Sequence, residues 1–208
     1  MAAEPGQVIA LAITGASGAI YATRTLAALL TRGVHVELIA SDYGRRLLRD
    51  ELGEQAVVER MMPFLAAKYG EAVNSGTLTL HSNRDLGATL ASGSHSCSGL
   101  AIVPCSMKTL AGVAHGLSRN LVERAADVML KERRRLVIVP RETPMSLPQL
   151  RNMVLCAEAG AMMLPAMPAF YQQPTSLDDL ADFMAGKIVS ALGFNHDLYP
   201  PWTGQAER

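Results

Sequence analysis

The strongest constraint in the chain is the run Val8-Ile-Ala-Leu-Ala-Ile-Thr14, which carries no charge and stops at Gly15. A surface helix would interrupt such a run with polar residues every third or fourth position, and a half-exposed strand would alternate. An unbroken, partly β-branched apolar run predicts a strand buried on both faces, as in a parallel sheet. Gly15-Ala-Ser-Gly-Ala19 turns the chain, and Ile20, Thr23, Leu26, Ala27 and Leu30 recur at helical spacing as far as Thr31. Gly33 ends that helix and Val34 to Ala40 reads as a second buried strand. The result is a βαβ unit with a right-handed crossover.

The alternation continues. Asp42 to Tyr69 is helical with a break at Gly53, Thr77 to Leu80 is a short strand, and Arg84 to Ser98 is a loop rich in Ser and Gly. Gly99 to Val103 is a core strand closed by Pro104, followed by helices over Lys108 to Gly116 and Asn120 to Lys131. Leu136 to Val139, closed by Pro140, and Ala161 to Leu164, closed by Pro165, are further strands, separated by a helix over Leu147 to Ala159; Leu177 to Leu192 is the last helix. The expected fold is α/β: a doubly wound, mainly parallel sheet with helices on both faces. At 208 residues, 49% hydrophobic and 18% charged, the chain has apolar material for one core, so 1–208 is expected to form a single domain, with 1–7 and 203–208 as flexible ends.

Charge and cysteine content narrow the function. Nineteen basic residues balance nineteen acidic ones, which argues against nucleic acid as a main partner. Cys97, Cys105 and Cys156 are an odd number without paired spacing, so a reducing cytoplasmic setting is expected rather than a disulfide framework. Val8 to Thr14 falls far short of the roughly 20 residues of a membrane helix, and Met1 to Gln7 lacks a basic signal region.

Ligands of doubly wound sheets bind beyond the carboxyl ends of the strands, so the residues after each apolar run carry the argument. Gly15-Ala16-Ser17-Gly18 could bring backbone N–H groups to an anion at a helix N-terminus, or could be a tight turn capped by Ser17. It is not the G-x-G-x-x-G fingerprint. Ser41 reads as a helix cap. Pro104-Cys-Ser106-Met107-Lys108-Thr109 offers two hydroxyls, a cation and a helix N-terminus, suited to a phosphate or a flavin edge, with helix capping and a solvated lysine as the plain alternative. Arg141 could pin a phosphate while Glu142 moves a proton, with a surface ion pair as the plain alternative. Arg124 and Lys131 could add positive potential, whereas Arg133 and Arg134 read as solvated. Tyr171 and Lys187 could hold a terminal phosphate, and Trp202 is either part of an unstructured tail or a lid. His35, His81, His95, His115 and His196 show no metal spacing, and no G-x-S-x-G or H-E-x-x-H occurs.

Five segments in order, Thr14 to Ala19, Pro104 to Leu110, Glu123 to Val128 with Leu130-Lys-Glu132, Val139 to Pro144 and Pro168 to Tyr171, resemble the UbiX-type flavin prenyltransferases, formerly described as phenylacrylate or octaprenyl-hydroxybenzoate decarboxylases. The resemblance spans Ile9 to about Trp202 and implies a Rossmann-like flavoprotein domain. It implies transfer of a dimethylallyl group from dimethylallyl monophosphate to N5 and C6 of reduced FMN without a metal. The prenylated FMN then serves UbiD-type decarboxylases, and the enzyme is expected to be a homododecamer. Carried over by motif, FMN would meet Gly15, Ala16, Ser17, Ser41, Ser106, Met107, Lys108, Thr109 and Arg141. The prenyl phosphate would meet Ser92, Arg124, Lys131, Tyr171 and Lys187, and Trp202 would cover the allyl group. Catalytic roles would fall to Ser17, Glu51 and Glu142: orienting the flavin edge, approaching the reacting ring, and carrying a proton. Lys187 stands where many relatives have Arg, which keeps the charge and loses the bidentate geometry. The competing expectations are a flavin-dependent cysteine decarboxylase, which would carry a Pro-Ala-Ser-Ala-Asn segment and a catalytic His, and a flavin carrier without catalysis.

Overall fold

A computed structural model describes residues 7–202 and 204. The expectation of flexible ends falls mostly outside those residues. Gln7 departs from it, because its carbonyl accepts the His35 N–H at 3.3 Å and so extends the first strand pairing.

Six strands, β1 (Val8–Ile13), β2 (His35–Ala40), β3 (Thr77–Ser82), β4 (Gly99–Cys105), β5 (Arg135–Pro140) and β6 (Met162–Met163), form one sheet in the order β3-β2-β1-β4-β5-β6. Every neighbouring pair is parallel. The connections hold α1 (Ala19–Leu30), α2 (Asp42–Leu52), α3 (Met61–Tyr69), α4 (Met107–Ala114), α5 (Leu121–Lys131) and α6 (Leu147–Glu158), with α7 (Leu177–Ala191) after β6. The strand order reverses between β1 and β4, where a doubly wound sheet opens a crevice for a ligand.

The run that opened the sequence is buried at every position from Ile9 to Thr14. Its side chains alternate between two cores: Ile9, Leu11 and Ile13 face α1, α3 and α7, and Ala10 and Ala12 face α4 and α5. Its central position makes both faces apolar. β3 lies at one edge of the sheet, and four of its six positions are exposed.

Strand boundaries shift from expectation by one or two residues: β3 runs to Ser82, β5 covers Arg135–Pro140, and β1 and β2 are each one residue shorter. β4 continues through Pro104 to Cys105, with a register irregularity between Ile102 and Cys105 that takes the proline out of the regular ladder. The Pro104 carbonyl is not idle: it accepts from the Thr14 N–H at 3.2 Å and the Thr14 hydroxyl at 2.8 Å. The last strand shrinks from Ala161–Leu164 to Met162–Met163, although the Leu164 and Ala166 N–H groups still donate to the Ile138 and Pro140 carbonyls of β5 at 2.8 and 3.0 Å. On the outer side of that edge, α6 buries only Cys156 and leaves Leu147, Leu150, Val154 and Leu155 exposed.

Candidate functional site

At the carboxyl edge of the sheet a cavity of about 290 Å³ is lined by Thr14, Gly15, Ser41, Tyr43, Asn83, Ser106, Lys108, Thr109, Asn120, Val122 and Glu123. Three helices begin on it. Ser41 caps α2 by accepting the Gly44 N–H at 3.0 Å, Ser106 caps α4 through the Thr109 N–H at 3.3 Å, and Asn120 caps α5 through the Glu123 N–H at 3.1 Å. The capping readings of Ser41 and Ser106 are therefore correct, and they are compatible with binding. Each cap satisfies one donor of a helix end that begins with four free N–H groups, and three positive dipole ends converge on one hollow. Thr14 fixes the relation between the two central loops: its hydroxyl donates to Pro104 and accepts the Ser106 N–H, each at 2.8 Å. A larger hollow of about 500 Å³, lined by Leu52, Val57, Phe64 and their neighbours, contains no strand-end residue.

The glycine turn on this edge is held from a distance. Gly18, at a left-handed φ of 117°, occupies the cap position of α1 without a side-chain cap. Ser17 is thus not the cap that the turn suggested. Glu51 from α2 does that work, its Oε2 accepting the N–H groups of Gly18 at 3.0 Å and Ala19 at 2.8 Å. Ala16 is buried and Ser17 stands exposed at the crest. A side chain at Gly15 would place its Cβ 2.6 Å from that of Tyr43, so the turn approaches α2 too closely for any residue but glycine. Burial, and secondarily the Glu51 charge, hold the Tyr21 phenol above its ordinary value.

Arg141 and Glu142 leave the end of β5 on the same edge. They form no ion pair; Glu142 accepts the Thr143 N–H at 3.1 Å. Arg141 Nε is buried with no hydrogen-bond partner, a costly condition for a cationic donor. Met107, half-buried at the start of α4, packs against the core on the α4–α5 side of the sheet.

The residues expected at the prenyl phosphate divide into two further groups. Tyr171 meets Phe183 edge-on at 6.0 Å and Trp202 at 5.2 Å, and Lys187 Nζ stands 5.5 Å from the Phe183 ring. Trp202 is thus in contact with the expected phosphate ligand Tyr171 while remaining exposed. Ser92, Arg124 and Lys131 lie elsewhere. Arg124 Nε donates to the Ala91 carbonyl at 3.0 Å, and Lys131 pairs with Glu132 beside Gly93. Ser92 and Lys131 sit where β4 and β5 begin, whereas Ser106 and Arg141 sit where those strands end. Six strand residues span about 20 Å. One chain therefore does not gather all the expected residues at one rim of the sheet.

Arg134 also departs from its expectation. It is not a solvated end-of-helix charge but donates to the carbonyls of His95 at 2.6 Å and Gly93 at 2.7 Å. Sequence reasoning missed Tyr43, Asn83 and Asn120 in the cavity wall. Asn120 had a signal in its place before an apolar helix; Asn83 had none, because it acts through space by accepting the Val122 N–H at 3.1 Å.

A parallel sheet with a ligand crevice at its reversal, an anion-friendly hollow and a glycine turn define a nucleotide-binding α/β protein, and the Flavoprotein family model matches residues 2–190. The flavin prenyltransferase UbiX of Halalkalibacterium halodurans is 45% identical over 197 residues, covering 94% of this chain and 93% of that protein. The crystal structure of AnUbiX (PadA1) in complex with FMN and dimethylallyl pyrophosphate superposes with a TM-score of 0.86 at 35% identity, covering 97% of this chain and all of that one. A dodecameric FMN-dependent UbiX-like decarboxylase from Escherichia coli O157:H7 gives 0.84 at 35% identity over 95% of this chain and 100% of its own. The chain belongs to the UbiX flavin prenyltransferase family.

The residues present fit a phosphorylated flavin. The unpartnered Arg141 Nε, the three converging helix ends and the glycine-limited approach at Gly15 are features that a planar ligand with an anionic tail would complete.

Proposed function

We propose that this chain joins the dimethylallyl group of dimethylallyl monophosphate to N5 and C6 of reduced FMN, within the single domain expected for 1–208. The observation that carries the reading is the carboxyl-edge cavity, with the unpartnered Arg141 Nε beyond its lining at the end of β5 on the same sheet edge, in a chain 45% identical to a flavin prenyltransferase. FMN lies against Gly15, Ala16, Ser17, Ser41, Ser106 to Thr109 and Arg141. Bound there, reduced FMN supplies the electron-rich N5 and C6.

The protein's task is mainly electrostatic. When the allylic C–O bond breaks, its electron pair leaves with phosphate. The Tyr171 hydroxyl and Lys187 ammonium meet that charge, and cations fixed in advance stabilise it more than reorganising water does. Ser92, Arg124 and Lys131 belong to the same phosphate subsite; Arg124 follows the cavity-wall residue Glu123 in the first turn of α5, whereas the strand length between Lys131 and Arg141 supports another copy of the chain as the source of Ser92 and Lys131. Trp202, resting on Tyr171, screens the allyl group from water. Ser17 orients the flavin edge, and Glu142 holds the proton that passes between flavin and phosphate. Glu51 acts by fixing the turn that carries Ser17.

A shared site demands an oligomer. The apolar face of α6 and the dodecameric state of the Escherichia coli relative support a homododecamer. A UbiD-type decarboxylase is the proposed recipient of the product, and the cytoplasm the proposed setting. Among the described residues no helix is long and apolar enough to cross a membrane.

The test is direct. Purified protein given reduced FMN and dimethylallyl monophosphate yields, by mass spectrometry, a flavin heavier by one five-carbon unit. Glu142→Gln keeps FMN and loses turnover. Unmodified FMN on folded, flavin-loaded protein refutes the reading.

A further inference from the structure

The interior of the sheet holds a charged cluster that the reaction does not use. Glu37, at the middle of β2, is 6% exposed and faces the α4–α5 side together with Ile39. Its Oε1 lies 3.0 Å from His95 Nε2 and its Oε2 lies 3.4 Å from His81 Nε2. His81 comes from β3 and His95 from the loop before β4; Cys97 and Arg134 are the other titratable groups whose fields meet there. A carboxylate so buried is strongly unfavourable without a partner. A hydrophobic residue would pack this face of β2 at no such cost, so the carboxylate points to a task for the group it holds.

That group is a short loop. His95 carries the end of a segment whose backbone is fixed at three more points: Arg124 on the Ala91 carbonyl, and Arg134 on the carbonyls of Gly93 and His95. Ser92 lies between these anchors, its hydroxyl 2.8 Å from that of Ser94, and Gly93 packs so closely on Lys131 that a Cβ there would lie 2.7 Å from Nζ. Removing one anchor frees the loop at the end nearest the sheet.

We propose that Glu37, acting through His95, is a positioning residue that sets Ser92 against Lys131 in the prenyl-phosphate subsite. The proposal rests on the assignment of Ser92 and Lys131 to that subsite. It predicts a defect confined to the phosphate substrate, because FMN sits at the opposite end of the strands.

The full-length, FMN-loaded protein is titrated with dimethylallyl monophosphate while the flavin is oxidised, and kcat and KM are measured after reduction. His95→Ala weakens binding and raises KM for dimethylallyl monophosphate about five- to tenfold, the loss expected for one ordinary net hydrogen bond. It leaves kcat and the FMN dissociation constant unchanged. His95→Gln, whose amide can donate at the position of Nε2, restores the affinity. Glu37→Gln stays near the original protein, and Glu37→Leu matches His95→Ala. An unchanged donor affinity in His95→Ala, or a loss shared equally by FMN and kcat, overturns the positioning role. Failure of the unsubstituted protein to bind the donor overturns the subsite assignment instead.

Discussion

Removing the Glu51 carboxylate tests how the glycine turn is held. In Glu51→Ala, the N–H groups of Gly18 and Ala19, now bonded at 3.0 and 2.8 Å, lose the only side-chain acceptor they have among the described residues. Replacing a helix cap by alanine costs about 0.5–2 kcal/mol, and a carboxylate at a helix N-terminus adds about 0.3–1 kcal/mol through the dipole. A loss of about 2 kcal/mol follows, since Glu51 serves both purposes at once. For a chain of this size each kcal/mol lowers the melting temperature by about 2–4 °C, so the apo protein should melt about 4–8 °C earlier at matched protein concentration. Glu51→Gln keeps an acceptor but not the charge and should lose less than half as much. FMN affinity should fall as well, tenfold for every 1.4 kcal/mol that the ligand must supply to order the turn. The assay is calorimetric melting with and without FMN. If Glu51→Ala melts within a degree of the original and binds FMN as tightly, Glu51 is not the cap of α1.

Arg141→Leu should move stability and binding in opposite directions. It removes a buried unpartnered donor, so the apo protein melts no earlier, while FMN binding weakens at least tenfold; apo melting and flavin titration measure both, and parallel losses would refute the orphan reading. Tyr69 gives the pH dependence. Burial pushes its phenol up to about 12, opposed by its hydrogen bond with Thr23. A raised folded-state value stabilises fully below the unfolded value near 10 and is lost as pH climbs toward 12. Denaturant melts across that window should show falling stability, and Tyr69→Phe should flatten the fall.

The strands were legible where burial on both faces left no polar position, as in Val8 to Thr14, and the loops at their ends followed from the sheet rule. The helix caps at Ser41 and Ser106 were legible because capping is local in sequence. Glu51 capping α1 was not, since its partners lie 32 and 33 residues away. Arg134 was misread for a related reason: a basic run shows charge, but the carbonyls it binds belong to a loop that folds back from before β4. Pro104 looked like a terminator because a missing N–H should end a ladder, and the strand instead goes around it. The division of the site escaped the motifs because they record order along the chain and say nothing of which end of a strand a residue occupies.

The distance between Lys131 and Arg141 along β5 has a genetic consequence. If every catalytic centre is assembled from opposite ends of different protomers, a protein crippled at Arg141 and one crippled at Lys131 are each inactive alone yet complement when co-assembled. Random mixing in equal amounts would regenerate intact centres at roughly one in four positions, so two dead alleles could together sustain a living enzyme.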